Sequence, residues 1–198
     1  MTHYESLIHN LCSKGFHIQD NFLEHNNCQS LSDTAKELYH QGLYRGAKIG
    51  KTISSQKNNT IRTDEILWLE GNEAQSDIQL FLAQIHQLAQ TLNQALFLGL
   101  NEFESHFASY QPGTYYKKHK DQFATQNTRK ISFVYYLNKN WQESYGGELK
   151  LYSPEDQLIQ IVLPQENRFI CFNSELPHEV ATTHKPRYSL TGWLKTRT

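Results

Sequence analysis

Ile131-Ser132-Phe133-Val134-Tyr135-Tyr136-Leu137-Asn138 alternates strictly: Ile131, Phe133, Tyr135 and Leu137 against Ser132, Val134, Tyr136 and Asn138. A period of two belongs to a strand, not a helix. Working outward, Phe103, Ser105, Phe107 and Ser109 alternate in the same way with Glu104, His106, Ala108 and Tyr110. Further strand-like runs cover Glu148 to Tyr152, Leu158 to Leu163, Arg168 to Asn173 and Ser189 to Thr196. Pro112-Gly113, Gly146-Gly147, Ser153-Pro154, Pro164 and Lys185-Pro186 separate them as turns. Short strands at near-regular intervals predict a sandwich, barrel or jelly roll, with helices packed outside one sheet.

Before residue 100 the period changes. Ile78, Phe81, Leu82, Ile85, Leu88, Ala89, Leu92, Ala95 and Leu96 step by three or four and predict one helix with a single apolar stripe. A shorter helix is predicted from Asp33 to Gln41, with Ser30 and Asp33 as capping residues and Gly42 as the stop. Another is expected over residues 3–13, and Gly15-Phe16-His17-Ile18 reads as a short strand. Tyr44 to Arg62 has little periodicity and a local positive charge. It reads either as a solvated connection or as a mobile lid over a site, loop 44–62.

A chain of 198 residues predicts a single domain, 1–198, with a helix-rich supporting part over 1–100 and a β core over 101–198. Nineteen Lys and Arg against twenty Asp and Glu argue against a nucleic-acid or anionic-membrane binder, which needs clustered positive charge. Three cysteines without CxxC spacing indicate neither a disulfide framework nor a zinc ribbon. The first sixteen residues contain no apolar stretch of the signal-peptide kind. The longest apolar run, Ala95 to Leu100, is far short of the roughly 20 residues that span a bilayer. The expectation is a cytoplasmic protein with no nucleic-acid or membrane partner.

Several segments carry candidate chemistry. Gly46-Ala47-Lys48-Ile49-Gly50-Lys51-Thr52 has three residues between its glycines where a phosphate-binding loop needs four, so no nucleotide site is expected there. In His119-Lys120-Asp121 the imidazole and carboxylate are two residues apart, which on an extended segment points them the same way. That pair is a weak signal alone in a chain with ten histidines. It gains weight from Pro177-His178-Glu179-Val180 and from Arg187 beyond it. Two histidines and one carboxylate form the non-heme Fe(II) facial triad, which leaves coordination positions open for oxygen and a cosubstrate. A structural zinc would close its sphere with cysteine or a fourth protein ligand. Arg187 supplies a planar fork matched to a carboxylate. His184, beside Lys185-Pro186, reads as a turn residue, His106 as a packed or surface residue, and Cys171 as a buried apolar one.

Tyr135-Tyr136-Leu137-Asn138-Lys139-Asn140-Trp141, Gly146-Gly147-Glu148-Leu149, Pro177 through Val180 and Arg187 through Trp193 together resemble the prolyl hydroxylase branch of the Fe(II)/2-oxoglutarate oxygenases. More narrowly, they are similar to the group of the hypoxia-inducible-factor prolyl hydroxylases and their bacterial relatives. The match runs in order from Glu104 to Lys195. This resemblance implies an α+β fold with a mainly β core, a double-stranded β-helix (jelly roll, cupin-like) with N-terminal supporting helices. It implies iron held by His119, Asp121 and His178, and Arg187 on the distal carboxylate of 2-oxoglutarate, assisted by the Tyr136 hydroxyl. Tyr110 matches a pocket-lining tyrosine of the family, although the turn after it differs in length. Leu149 and Trp193 read equally as pocket lining or ordinary core, and Arg129 as a substrate contact or a solvated arginine.

The implied cofactors and cosubstrates are Fe(II), 2-oxoglutarate and O2, with L-ascorbate as reductant. The implied reaction couples oxidative decarboxylation of 2-oxoglutarate, to succinate and carbon dioxide, with hydroxylation of a prolyl residue in a protein or peptide. Elongation factor Tu is the first candidate partner for a bacterial relative. Two alternatives stay open: a hydroxylase of a small molecule such as free proline, and a non-catalytic metal-binding β-barrel that recognises a protein partner.

Overall fold

The chain runs α1 (His3–Lys14), β1 (Phe16–Gln19), α2 (His25–His40), β2 (Arg45–Gly46), β3 (Glu65–Trp68), α3 (Ser76–Leu96), β4 (Glu102–Tyr110), β5 (Tyr116–His119) and β6 (Arg129–Tyr136). A 3-10 turn (Glu143–Tyr145) precedes β7 (Leu149–Tyr152), β8 (Leu158–Val162), β9 (Phe169–Asn173), β10 (His178–Val180) and β11 (Arg187–Lys195). The computed structural model describes residues 3–47, 61–71, 73–122 and 127–197. Most of loop 44–62 and the end of the Gly46–Thr52 run lie outside the described residues, so the lid reading finds neither support nor contradiction.

The strands form two antiparallel sheets. The larger has the order β1-β9-β6-β11-β4-β3-β2, the smaller β5-β10-β7-β8. Period two in the sequence becomes two cores. Phe133 and Tyr135 of β6, with Phe107, Phe169 and Leu190, face the helices and pack on Leu31, Phe81 and Ile85. Val134 and Tyr136 of the same strand, with Ala108, Ile170 and Phe172, face the smaller sheet and pack on Leu149, Leu151 and Val180. Two sheets face to face with helices outside one of them is the jelly-roll arrangement. Strand pairing is close where glycine permits it. A Cβ at Gly192 of β11 would lie 2.1 Å from the Glu104 carbonyl oxygen and 2.4 Å from Phe133 Cζ.

Two features depart from expectation. α2 begins at His25, and Ser30 and Asp33 lie inside it; Ser30 Oγ instead donates to Asp77 Oδ2 of α3 at 3.3 Å. Tertiary packing overrides the weak helix formers Asn26, Asn27 and Ser30, because Cys28, Leu31, Ser32 and Ala35 present a buried stripe at helical spacing. Gly42 does end this helix region, at φ +71°. The other departure is β3, which adds a strand to the larger sheet from the supposedly helical half, Ile66 pairing with Ala108. Among the described residues no helix is long and apolar enough to cross a membrane.

Candidate active site

β5 and β10 are neighbours in the smaller sheet, with His119 directly opposite His178. The ring centroids are 4.2 Å apart. β5 ends at His119, so Asp121 does not share a strand face with it as the spacing suggested. Asp121 reaches the same point from a bend, where its N–H donates to the Ser174 carbonyl at 3.2 Å. One ligating atom from each of His119, Asp121 and His178 lies within 4.8 Å of the others. His119 Nε2 stands 3.7 Å from Asp121 Oδ1, and His178 Nε2 3.4 Å from Oδ2.

Supporting hydrogen bonds orient each group. His119 Nδ1–H donates to the Lys117 carbonyl at 2.7 Å and His178 Nδ1–H to that of Leu176 at 2.9 Å. Both Nε2 atoms are thereby left as the ligating positions. The Ser132 hydroxyl donates to Asp121 Oδ2 at 2.6 Å and shares a 2.9 Å hydrogen bond with Ser174. Burial and the neighbouring His178 push His119 down to about 3, so its lone pair is free at neutral pH. Burial alone would raise Asp121, but the two histidines and the Ser132 hydroxyl outweigh it and hold the carboxyl below its usual range. Burial also opposes a charged His178, yet the Asp121 carboxylate more than offsets it and raises that imidazole. Two imidazoles and one carboxylate fit a divalent first-row metal, Fe(II) among them.

Deeper in the same pocket lies Arg187, 1% exposed. Its Nε–H donates to the Gly147 carbonyl at 2.9 Å, and its Nη1 to Ser189 Oγ at 3.3 Å. Gly147, at φ +70°, makes this approach possible, since a Cβ there would sit 3.1 Å from Arg187 Cδ. Among the described residues no carboxylate pairs with this buried guanidinium. A buried cation left without an anion is costly, so the site suits an anionic ligand. Tyr110 and Tyr136 flank it, with ring centroids 4.8 and 5.0 Å from Cζ. The Tyr136 hydroxyl is buried beside the guanidinium and makes no well-formed hydrogen bond within the described protein. An arginine fork and a phenol beside it fit the distal carboxylate of a dicarboxylate such as 2-oxoglutarate.

Leu149 and Trp193 are both buried and both line this pocket. Arg129 sits behind Trp193, its Cζ 3.5 Å from the indole centroid, and pairs with Glu104 at 3.4 Å. It is half-buried, and its Nη1 donates to the Asp121 carbonyl at 3.4 Å. His184 is exposed, as a turn residue should be, and Cys171 is fully buried. His106 is the histidine that sequence reasoning undervalued. It lines the pocket between Trp68 and Trp193, at centroid distances of 4.8 and 5.5 Å. Burial, with smaller contributions from Arg62 and Arg129, pushes it down to about 3, and its Nδ1 has no partner among the described residues. The signal was available: His106 shares its strand phase with Tyr110, already placed in the pocket. Arg62 and Tyr116 also line the pocket and were not singled out.

The profile of the 2OG-Fe(II) oxygenase superfamily matches residues 105–195. Human "Prolyl hydroxylase EGLN3" is 30% identical over 186 residues, which cover 90% of this chain and 77% of the relative. A Pseudomonas putida prolyl-4-hydroxylase structure superposes with a TM-score of 0.89 at 33% identity, over 99% of this chain and 100% of that one. A Trichoplax adhaerens prolyl hydroxylase, solved with a hypoxia inducible factor oxygen degradation domain peptide fragment, gives 0.87 at 27% identity, over 97% and 88%. The chain belongs to the 2OG-Fe(II) oxygenase superfamily, whose fold is the double-stranded β-helix described above and whose chemistry uses Fe(II), 2-oxoglutarate and O2. Within that class it is an enzyme of the prolyl hydroxylase branch.

Proposed function

We propose that this enzyme hydroxylates a prolyl residue in a protein or peptide, with His119, Asp121 and His178 holding Fe(II). Arg187 and the Tyr136 hydroxyl take the distal carboxylate of 2-oxoglutarate, Tyr110 and Leu149 wall the cosubstrate, and Trp193 forms the side where substrate enters. Bound iron and 2-oxoglutarate would supply the oxidising chemistry, giving succinate and carbon dioxide. The chain's own part is positional. Nδ1 hydrogen bonds aim both imidazoles, Ser132 and Ser174 hold the carboxylate, and Arg187 sets the cosubstrate's far end. Arg129, stacked on Trp193 and donating to the Asp121 carbonyl, supports the wall of the pocket on the side where substrate enters.

One observation carries this reading: a His, Asp and His cluster and a buried arginine without a carboxylate partner share a single pocket. A protein substrate is supported by the relatives, among them the Trichoplax enzyme with its bound peptide fragment. Elongation factor Tu is the first protein to test, L-ascorbate the reductant to add, and the cytoplasm the compartment in which to look. Purified enzyme with Fe(II), 2-oxoglutarate and ascorbate is incubated with elongation factor Tu and, separately, with free proline. The expected result is substrate-dependent succinate release and a mass gain of one oxygen on a prolyl residue of the protein. Succinate release driven only by free proline would replace the protein substrate with a small one.

A further inference from the structure

Outside the ligand set, a column of side chains stands on the back of His119. The Tyr116 ring is stacked on the imidazole, with centroids 3.6 Å apart and planes at 13°. The Arg62 guanidinium lies over the same Tyr116 ring, Cζ 4.4 Å from its centroid. Arg62 is gripped in turn by Asp64, Nε to Oδ1 at 2.8 Å and Nη2 to Oδ2 at 2.6 Å, and the Asp64 side chain is fully buried. A bidentate arginine–carboxylate pair fixes the guanidinium plane, and a cation held near a tyrosine ring draws that ring toward it.

The backbone repeats the link. Arg62 bridges to Tyr116 antiparallel, Thr63 N–H donates to the Tyr115 carbonyl at 3.2 Å, and Lys117 N–H donates to the Ile61 carbonyl at 2.9 Å. Lys117 is also the residue whose carbonyl accepts from His119 Nδ1. Residues 61–64 thus reach one imidazole by two routes, the stacked rings and the peptide of Lys117. Among the described residues its partner His178 has no such stack: Phe172 meets it edge-on, at 69° and 4.8 Å.

We propose that Asp64, Arg62 and Tyr116 are positioning residues that hold the His119 imidazole in its ligating orientation and so set the affinity of the metal site. The inference rests on the reading of His119 as a ligand. Its sign separates it from simple electrostatics. A guanidinium lining the pocket repels a second cation, so on charge alone its removal would tighten metal binding. Positioning requires the reverse.

The test is Mn(II) affinity of the full chain, followed by the electron paramagnetic resonance of free Mn(II), without 2-oxoglutarate or peptide. Arg62→Met and Tyr116→Leu should each weaken binding by about tenfold or more, within the range seen when supporting partners of metal ligands are removed. Tyr116→Phe, which keeps the ring, should stay within about threefold of the parent. The Arg62→Met, Tyr116→Leu double variant should be little weaker than either single one, since both interrupt one column. Unchanged or tighter Mn(II) binding in folded Arg62→Met, with only the KM for peptide raised, would overturn the proposal and make Arg62 a substrate contact. Should Arg62→Met not fold, Tyr116→Leu against Tyr116→Phe decides alone, and equal losses in both would overturn it. His178→Ala separates the two levels: Mn(II) binding equal to the parent's would reject the metal site itself.

Discussion

The two faces of the larger sheet do opposite jobs with the same strands. On the helix side Phe107, Phe133, Tyr135 and Phe169 pack with Phe81 and Ile85 at essentially no exposure. On the other side the same strands present His106, Ser132 and Arg187 to the pocket, with Tyr136 beside Arg187, and neither the His106 Nδ1 nor the Trp193 Nε1 has a hydrogen-bond partner among the described residues. The first face satisfies itself by apolar contact. The second gives up that closure to keep polar groups aimed into a cavity, where burying them is costly until something binds. Strand phase therefore divides most of the stabilising side chains from most of the functional ones, Phe133 reaching both the helix-side core and the pocket lining.

The sharpest break in the comparison comes at the metal ligands. Asp121→Ala or His119→Ala should reduce succinate formation to background while far-UV circular dichroism stays native, and retained turnover in either would remove the triad assignment. Next in size, Phe133→Ala on the helix side should lower unfolding free energy by about 3–5 kcal/mol in urea titrations. A loss under about 1 kcal/mol would mean that this face is not the stabilising one. Arg187→Met should weaken 2-oxoglutarate binding by about one to two decades, because a charge-assisted hydrogen bond contributes roughly 1.5–3 kcal/mol. Its unfolding midpoint without cosubstrate should not fall, since the substitution removes a buried charge with no carboxylate partner among the described residues; calorimetry on the same sample reads both. Smallest is Tyr136→Phe. Losing one neutral hydrogen bond to cosubstrate, about 0.5–1.5 kcal/mol, should cost roughly two- to tenfold in 2-oxoglutarate affinity with no loss of stability. Tight binding retained in Tyr136→Phe would remove that hydroxyl from the cosubstrate site.

Legibility followed the same division. The long alternating segments β4, β6 and β11 could be read because each residue's phase is visible over eight or nine positions. β5 and β10, the strands that carry both histidines, are four and three residues long and leave no periodic trace. The residues were found instead through their chemistry, by His119-Lys120-Asp121 and by His178 with Arg187. His119 and Asp121 converge with His178 although β5 ends before Asp121, so a shared strand face is not what brings them together. α2 was read eight residues short, since its first half is polar and its buried stripe shows only against the folded sheet. In the sequence His106 reads as a packed or surface residue and Arg62 as the end of a basic segment. Strand phase sets His106 on the side of Tyr110 but does not show the two indoles that enclose it, and an aperiodic segment does not show that Arg62 turns back onto Asp64 and over Tyr116.

What the order of residues settled was local: which segments alternate, where glycine and proline turn the chain, and which side chains have the chemistry of a ligand or a carboxylate clamp. Such features depend on neighbours a few positions away, which a linear string displays. The meeting of His119 with His178, the burial of Arg187 and the stack from Asp64 to His119 belong to the folded sheets alone. They depend on strands distant in the chain pairing in register, and the energy of that pairing resides in no single segment.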